Sequence, residues 1–234
     1  MTKKIIGIVG GMGPEATADL FMKIIKATPA KIDQEHIRVF IDNNTNIPDR
    51  TRAILGQGPS PLPALLDTVA KLKAAGAEIL IMPCNTAHIY YPEIAEGAGV
   101  EFLHMMESTV NYIKQNYPEA QKVGILATSG TIESKLYHKV LEKNQLIPIA
   151  PVPEQQARVM DAIYSDWGVK AGFYDRSKEY FIGVGNTLIK QGADVIIMGC
   201  TEIPLALRNG DLAVPLVDAT EVLAITAVQH ALKE

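Results

Sequence analysis

Short runs of β-branched and aliphatic residues alternate along the chain with longer segments whose apolar positions recur every three or four residues. That alternation is the signature of βαβ units and a mostly parallel sheet. The apolar runs predict strands at Lys4–Val9, Ile37–Asp42, Glu78–Met82, Glu101–His104, Lys122–Ala127, Asp194–Met198 and Val214–Val217. The amphipathic segments predict helices over Pro14–Ala27, Leu62–Ala75, Met106–Asn116, Thr131–Lys143, Glu154–Tyr164, Ser177–Gln191 and Ala219–Leu232. Between them, the Gly and Pro residues of Gly56–Pro63 predict a loop.

The pattern also repeats. Gly76-Ala-Glu-Ile-Leu-Ile-Met-Pro-Cys84 reads against Gly192-Ala-Asp-Val-Ile-Ile-Met-Gly-Cys200, an offset of 116 residues (84 to 200). Ile5-Ile-Gly7-Ile-Val-Gly-Gly reads against Lys122-Val-Gly124-Ile-Leu-Ala-Thr at an offset of 117 (7 to 124), half of the 234 residues. Buried parallel strands favour Val, Ile and Leu in any case, so the aliphatic matches carry little weight. A Gly-Ala-acid triplet before each strand and a cysteine at the same place after it carry more.

The expectation is an α/β fold of two pseudo-twofold-related lobes, each with a mostly parallel sheet flanked by helices. Residues 1–105 would form the first lobe, with a helix from 218–234 packing back on it, and residues 106–217 the second. Ligands bind at the carboxyl ends of parallel strands, where both cysteines fall, so the active site is expected in the interlobe cleft.

Composition narrows the function classes. With 22 basic and 26 acidic side chains the formal net charge is −4, which weighs against nucleic acid as a partner. No run approaches the ~20 apolar residues of a membrane span, and no signal-peptide hydrophobic region follows the first residues. The expected setting is cytoplasmic, without a membrane partner. The only two cysteines, Cys84 and Cys200, lack the spacing of a disulfide framework, a redox pair or a zinc site. No His-rich spacing indicates a metal.

Pro83-Cys84-Asn85-Thr86-Ala87-His88 is expected to open a helix, with Asn85 or Thr86 as N-cap. A thiol there feels the positive end of the helix dipole, which lowers its pKa from about 8.5. Gly199-Cys200-Thr201-Glu202 repeats the arrangement, and Gly199 would leave the approach to the thiol open. Each cysteine taken singly reads as a buried small hydrophobe. As a symmetric pair at strand ends they read as two acid/base groups, and proton exchange on opposite faces of one carbon needs such a pair. Racemisation or epimerisation without a cofactor is the leading reaction of that kind.

Gly10-Gly-Met-Gly-Pro14, Ile47-Pro-Asp-Arg50, Pro83-Cys-Asn-Thr-Ala-His88 and Gly199-Cys-Thr-Glu202 together resemble the aspartate racemase branch of the cofactor-independent aspartate/glutamate racemase family. The resemblance spans nearly the whole chain. It implies two similar α/β lobes, an amino-acid substrate, no cofactor, commonly a homodimer, and Cys84 and Cys200 as the acid/base pair. It further implies that Arg50 binds the side-chain carboxylate and that Lys170, in Gly168-Val-Lys-Ala-Gly172, also contacts substrate. Met12, Asn85, Thr86 and Thr201 match positions around the α-carboxylate and ammonium, and Asp49 and Glu202 are candidates for a supporting role. The family's glutamate racemases carry Asp-Ser in the first βα turn and His after Gly-Cys-Thr; here Gly11-Met12 and Glu202 stand there, which disfavours glutamate.

Other readings compete. Gly11-Met-Gly13-Pro-Glu-Ala16 with Asp42 weakly fits a dinucleotide fingerprint, although Asp42 is farther along than usual and Pro14 removes an N–H. A maleate isomerase-like member would use one cysteine as nucleophile. A non-catalytic amino-acid-binding lobe pair would not need both cysteines. Arg52 competes with Arg50 as the carboxylate clamp. Of the histidines, His88 and His104 lie near the sheet edge, with Asp218 at the place related to His104; His36, His138 and His230 are expected to be solvated.

Overall fold

The computed structural model of the protein describes residues 3–233. The chain divides into two compact units, one holding the residues up to Ser108 together with those from Thr220 on, the other Thr109–Ala219. The first carries a sheet of β1 (Ile6–Gly10), β2 (Val39–Asn43), β3 (Ile79–Ile81) and β4 (Glu101–Phe102). The second carries β5 (Lys122–Ala127), β6 (Ile147–Ile149), β7 (Val195–Gly199) and β8 (Leu216–Asp218). Every pairing is parallel, and the orders β2-β1-β3-β4 and β6-β5-β7-β8 are the same.

The first half supplies helices α1 (Pro14–Ala27), α2 (Arg50–Ile54), α3 (Leu62–Ala74) and α4 (Tyr91–Ala98). Helix α5 (Met105–Asn116) carries the chain into the second unit, followed by α6 (Ser129–Glu133), α7 (Leu136–Lys143), α8 (Pro153–Tyr164), α9 (Tyr174–Lys190) and α10 (Ile203–Ala206). The last, α11 (Ala219–Leu232), returns to the first unit, where the Lys4 N–H donates to the Ala231 carbonyl at 3.0 Å.

The Gly-Ala-acid triplets have a structural cause. Gly76 and Gly192 follow α3 and α9 at φ of 100° and 96°, conformations that cost a side-chain-bearing residue. Each ends its helix in a Schellman motif: Gly76 N–H donates to Lys73 O and Ala77 N–H to Leu72 O, as Gly192 does to Ile189 O and Ala193 to Leu188 O. The alanines then seat against the glycines of the central strands. A Cβ at Gly7 would stand 2.7 Å from Ala77 Cβ, and one at Gly124 would stand 3.3 Å from Ala193 Cβ. The acids satisfy strand-start N–H groups: Glu78 accepts from Ile5 N, and Asp194 from Gln121 N and Lys122 N.

Several boundaries differ from expectation. The predicted helix over residues 131–143 is broken into α6 and α7, because Lys135 takes the left-handed conformation at φ 55° and the Ser134 hydroxyl bonds back to the Gly130 carbonyl. Strand β6 was not anticipated. Pro148 lies at its centre, which is tolerated because β6 is an edge strand paired with β5 alone. The polar loop before Arg50 runs into the short helix α2, whose N-cap Asp49 accepts from Arg52 N at 2.7 Å. Gly11, at φ 94°, is required by a close approach: a Cβ there would meet Asn44 C and O at 2.3 Å.

Two substitutions separate backbone strain from collision. A methyl at Gly76 meets nothing within 4 Å, so Gly76→Ala should lose about 1 kcal/mol through its positive φ alone. A methyl at Gly7 meets Ala77 Cβ and Leu80 Cδ2, each at 2.7 Å, so Gly7→Ala should lose roughly 2–3 kcal/mol. Adding Ala77→Gly should recover part of the second loss and none of the first; urea unfolding midpoints of the wild type, the two single variants and the two double variants measure this.

Candidate active site

In the first unit, β3 ends at Ile81 and the chain turns through Met82 and Pro83 to Cys84, whose N–H donates to Met82 O at 2.8 Å. Cys84 is a buried free thiol in the apolar cluster that includes Val9, Met12, Ile47, Met82 and Ala87. The residues after it open a helix of the 3₁₀ type, Thr86–Tyr90, with Asn85 at the N-cap position but making no side-chain cap bond there. Asn85 and Thr86 are both buried.

His88 closes this turn from inside. Its Nδ1 lies 2.8 Å from the Cys84 carbonyl oxygen, and its Nε2 accepts the Met105 N–H at 3.2 Å. Because Nε2 accepts, the ring is neutral and Nδ1 carries the hydrogen that it donates to Cys84. Burial, helped by neighbouring His104, lowers its pKa to about 3. The ring stacks on Tyr91 and meets His104 edge-on, and Tyr91 donates to the Phe102 carbonyl at 2.6 Å. His104 Nδ1 accepts the Glu107 N–H in the first turn of α5.

Arg50 opens α2, which packs beside the 3₁₀ turn. Its guanidinium donates to the carbonyls of Pro48 at 3.1 Å, Ile47 at 3.4 Å and Met12 at 3.5 Å. At 9% exposure it is far from the solvated face where most arginines sit. Arg52, its competitor, is exposed and reaches only the Gln57 carbonyl at 3.4 Å.

In the second unit, Cys200 directly follows β7 and is also buried and free. Its Sγ–H donates to Glu202 Oε2 at 3.0 Å, and the Thr201 hydroxyl donates to the same oxygen at 3.2 Å. Lys170 Nζ pairs with the other oxygen, Oε1, and lies 5.5 Å from the centre of the Tyr164 ring. A buried carboxylate needs such partners, and Glu202 has a cation and two hydrogen-bond donors.

The expected lowering of the Cys200 pKa is reversed. Burial, then the Glu202 charge and hydrogen bond, push the thiol well above its usual range. The helix that should have lowered it is the four-residue α10, and Glu202 stands at its N-cap with a full negative charge. Nor does Gly199 leave an open approach: a Cβ there would lie 3.0 Å from Tyr137 Cε2 and 3.1 Å from Ala127 Cβ.

Met12, Asp49, Arg50, Cys84, Asn85 and Thr86 thus belong to the first unit, and Lys170, Cys200, Thr201 and Glu202 to the second. Two further buried polar residues, Thr128 and Thr131, lie at the carboxyl end of β5, outside the cysteine motifs. There Thr128 caps α6 by accepting from Thr131 N at 3.3 Å. A sequence signal for Thr128 existed, since the 117-residue offset sets Thr128 against Gly11. Tyr137, fully buried behind Gly199 with its phenol pKa raised by burial, left no such signal.

The histidines expected in solvent are partly covered: buried Nδ1 atoms of His36 and His138 have no hydrogen-bond partner, and His230 Nδ1 lies 2.6 Å from Glu101 Oε1. Among the described residues, no three His, Cys, Asp or Glu side chains gather as a metal site, and no helix is long and apolar enough to cross a membrane.

Residues 9–227 match the family described as Asp/Glu/hydantoin racemase. The chain is 30% identical to the broad specificity amino-acid racemase RacX of Bacillus subtilis (strain 168), the alignment covering 96% of each chain. The fold is similar to Picrophilus torridus aspartate racemase, with a TM-score of 0.87 at 31% identity, covering 99% of this chain and 95% of that one. It is also similar to an aspartate racemase homologue from Pyrococcus horikoshii OT3, with a TM-score of 0.79 at 24% identity over 99% and 100% of the two chains, a likeness of fold.

Removing the charge that holds the Cys200 thiol protonated has a measurable consequence. Glu202→Gln should lower the pH midpoint for iodoacetamide alkylation of Cys200 by about one unit or more, because a thiolate no longer forms beside an anion. Mass spectrometry of the Cys200 peptide across pH reads the shift; an unchanged or raised midpoint contradicts the assigned cause.

Proposed function

The chain belongs to the Asp/Glu/hydantoin racemase family, and we propose that within it this protein interconverts L- and D-aspartate by two-base proton transfer at the α-carbon, without a cofactor. The observation that carries this reading is the pair of buried free thiols, each following the third strand of its half at matching positions of the sequence repeat. Inversion needs one thiolate and one thiol at a time. Cys200, donating its Sγ–H to Glu202, stands in the proton-donating state. In the half-reaction that begins there, Cys84 acts as the thiolate that takes the α-proton while Cys200 delivers one to the opposite face. In the reverse direction the roles exchange, and the Lys170 ammonium paired with Glu202 tempers the charge of a Cys200 thiolate.

The α-proton of an amino acid is weakly acidic. A desolvated setting, with donors aimed at the charge growing on the α-carboxylate, is what makes its removal feasible. Asn85, Thr86 and Thr201, all buried within two residues of a cysteine in sequence, are the proposed donors. Arg50 is the proposed clamp for the second carboxylate, since a planar guanidinium can grip a carboxylate bidentately and three carbonyls fix this one in orientation. Similarity to a racemase described as broad in specificity favours a second reading, in which the same chemistry acts on a wider set of amino acids.

Incubation with L-Asp, D-Asp and L-Glu in deuterated water without added cofactor tests the proposal. Deuterium at Cα with inversion is the expected result; tight binding without exchange, or ammonia release, would remove it. Cys84→Ala and Cys200→Ala should each abolish racemisation while keeping the fold, by circular dichroism. Arg50→Ala should raise KM for aspartate about tenfold or more and leave KM for alanine nearly unchanged. Equal effects on the two substrates would remove Arg50 from carboxylate recognition.

A further inference from the structure

The backbone of Cys84 is held on both sides. Its N–H is turned onto Met82 O at 2.8 Å, and its carbonyl takes the His88 Nδ1–H at 2.8 Å. The opposite edge of the same ring takes the Met105 N–H, at the start of the helix that leads out of the first unit. His88 is 2% exposed and its own N–H donates to Asn85 O at 3.0 Å. One side chain therefore ties the turn that follows β3 to the first turn of α5, with the Cys84 peptide inside the tie.

We propose that His88 is a positioning residue for Cys84: its neutral imidazole, bonded at both nitrogens, sets the orientation of the Cys84 peptide and thereby of the thiol. The proposal rests on the reading of Cys84 as an acid/base group. A cationic imidazole could not serve, since it would lose the acceptor for Met105. Tyr91, Phe102 and His104 keep the ring in an aromatic enclosure: Tyr91 stacks on it with ring centroids 5.9 Å apart, His104 meets it edge-on at 5.2 Å, and Phe102 backs Tyr91 at 5.3 Å. The thiol itself makes no bond to the ring, so His88 acts through the main chain and takes no part in proton transfer to substrate.

Two substitutions cut the tie at different ends. Asn at position 88 can place an amide donor near Nδ1 and cannot reach Met105; Gln can place an acceptor near Nε2 and cannot donate to the Cys84 carbonyl. His88→Gln should lower kcat at least about tenfold in both directions with KM within about twofold, as expected when a reacting group is displaced without loss of binding contacts. His88→Asn should keep kcat within about threefold by preserving the bond to Cys84.

Alkylation of Cys84 by iodoacetamide, followed by peptide mass spectrometry, gives a readout independent of turnover. Its rate should change in the Gln variant and stay at the wild-type value in the Asn variant. Equal losses in the two variants, an unchanged Cys84 rate in the Gln variant, or a Gln variant that unfolds would assign His88 to stability alone and overturn the proposal. Wild-type protein that fails to exchange deuterium, with the alkylation contrast intact, would overturn the racemase reading and leave the positioning of Cys84 standing.

Discussion

A side chain at Gly7 or Gly124 would run into the alanine that ends a helix, and into the strand residue beside it, Leu80 or Ile196. This close approach sets the register of each sheet. With Ala77 seated on Gly7, Glu78 falls where it can accept the Ile5 N–H, and β3 then pairs Ile6 with Ile79. With Ala193 on Gly124, Asp194 accepts from Gln121 and Lys122, and β7 pairs Val123 with Val195. The positive-φ glycines make the approach sterically possible, and the Schellman bonds satisfy the helix carbonyls that would otherwise be orphaned. Each cysteine inherits its place from this arrangement, because only a few residues separate it from the acid that starts its strand. The repeat is therefore one packing solution used twice, and the thiols occupy the carboxyl ends that the solution leaves for chemistry.

The two thiols share a position but not a setting. Cys84 is fixed through its main chain by a neutral histidine, whereas Cys200 is fixed through its sulfur by an anion. A full charge in hydrogen-bond contact outweighs the partial charge of a one-turn helix, so Cys200 is held as thiol despite following a strand and preceding a helix. For a reaction that needs one protonated and one deprotonated partner, unlike settings break the symmetry of two otherwise equivalent groups. Glu202 is what breaks it on one side, and it is buried, so its effect is not diluted by solvent.

The periodicity of the sequence was enough for Pro14–Ala27, Lys122–Ala127 and Ala219–Leu232, whose bounds agree with the structure, and for the parallel α/β class. It was blind where a single residue overrides the pattern. Pro148 hides an edge strand, and the turn at Ser134 and Lys135 breaks an otherwise helical run. The cysteines and Arg50 were visible as residue types in motifs, but their electrostatics were not. Which atom accepts the Cys200 proton depends on a side chain two residues on and a lysine from a 3₁₀ turn far away in sequence, a tertiary fact. The Gly-Ala-acid triplets were legible as a repeat, whereas their work in helix termination and strand starting depends on backbone contacts that the sequence does not display.

Charge balance around Glu202 bears on how a dicarboxylate is recognised. Lys170 is the cation that the resemblance places against substrate, yet its ammonium pairs with a buried carboxylate that already takes the Cys200 and Thr201 protons. Drawing Lys170 away to an incoming carboxylate would leave Glu202 a less compensated buried anion beside a thiol that, under the proposed reaction, ionises in one direction, and both effects are unfavourable. Keeping Lys170 on Glu202 instead limits the rise in the Cys200 pKa, since its positive charge opposes that of the carboxylate. Arg50, by contrast, is in the first unit, away from the Cys200–Glu202 cluster in the chain, and its guanidinium donates to the carbonyls of Pro48, Ile47 and Met12. Under the proposed reaction, tuning of Cys200 therefore falls to Lys170 with Glu202, and the attraction for the second carboxylate of aspartate falls chiefly to Arg50.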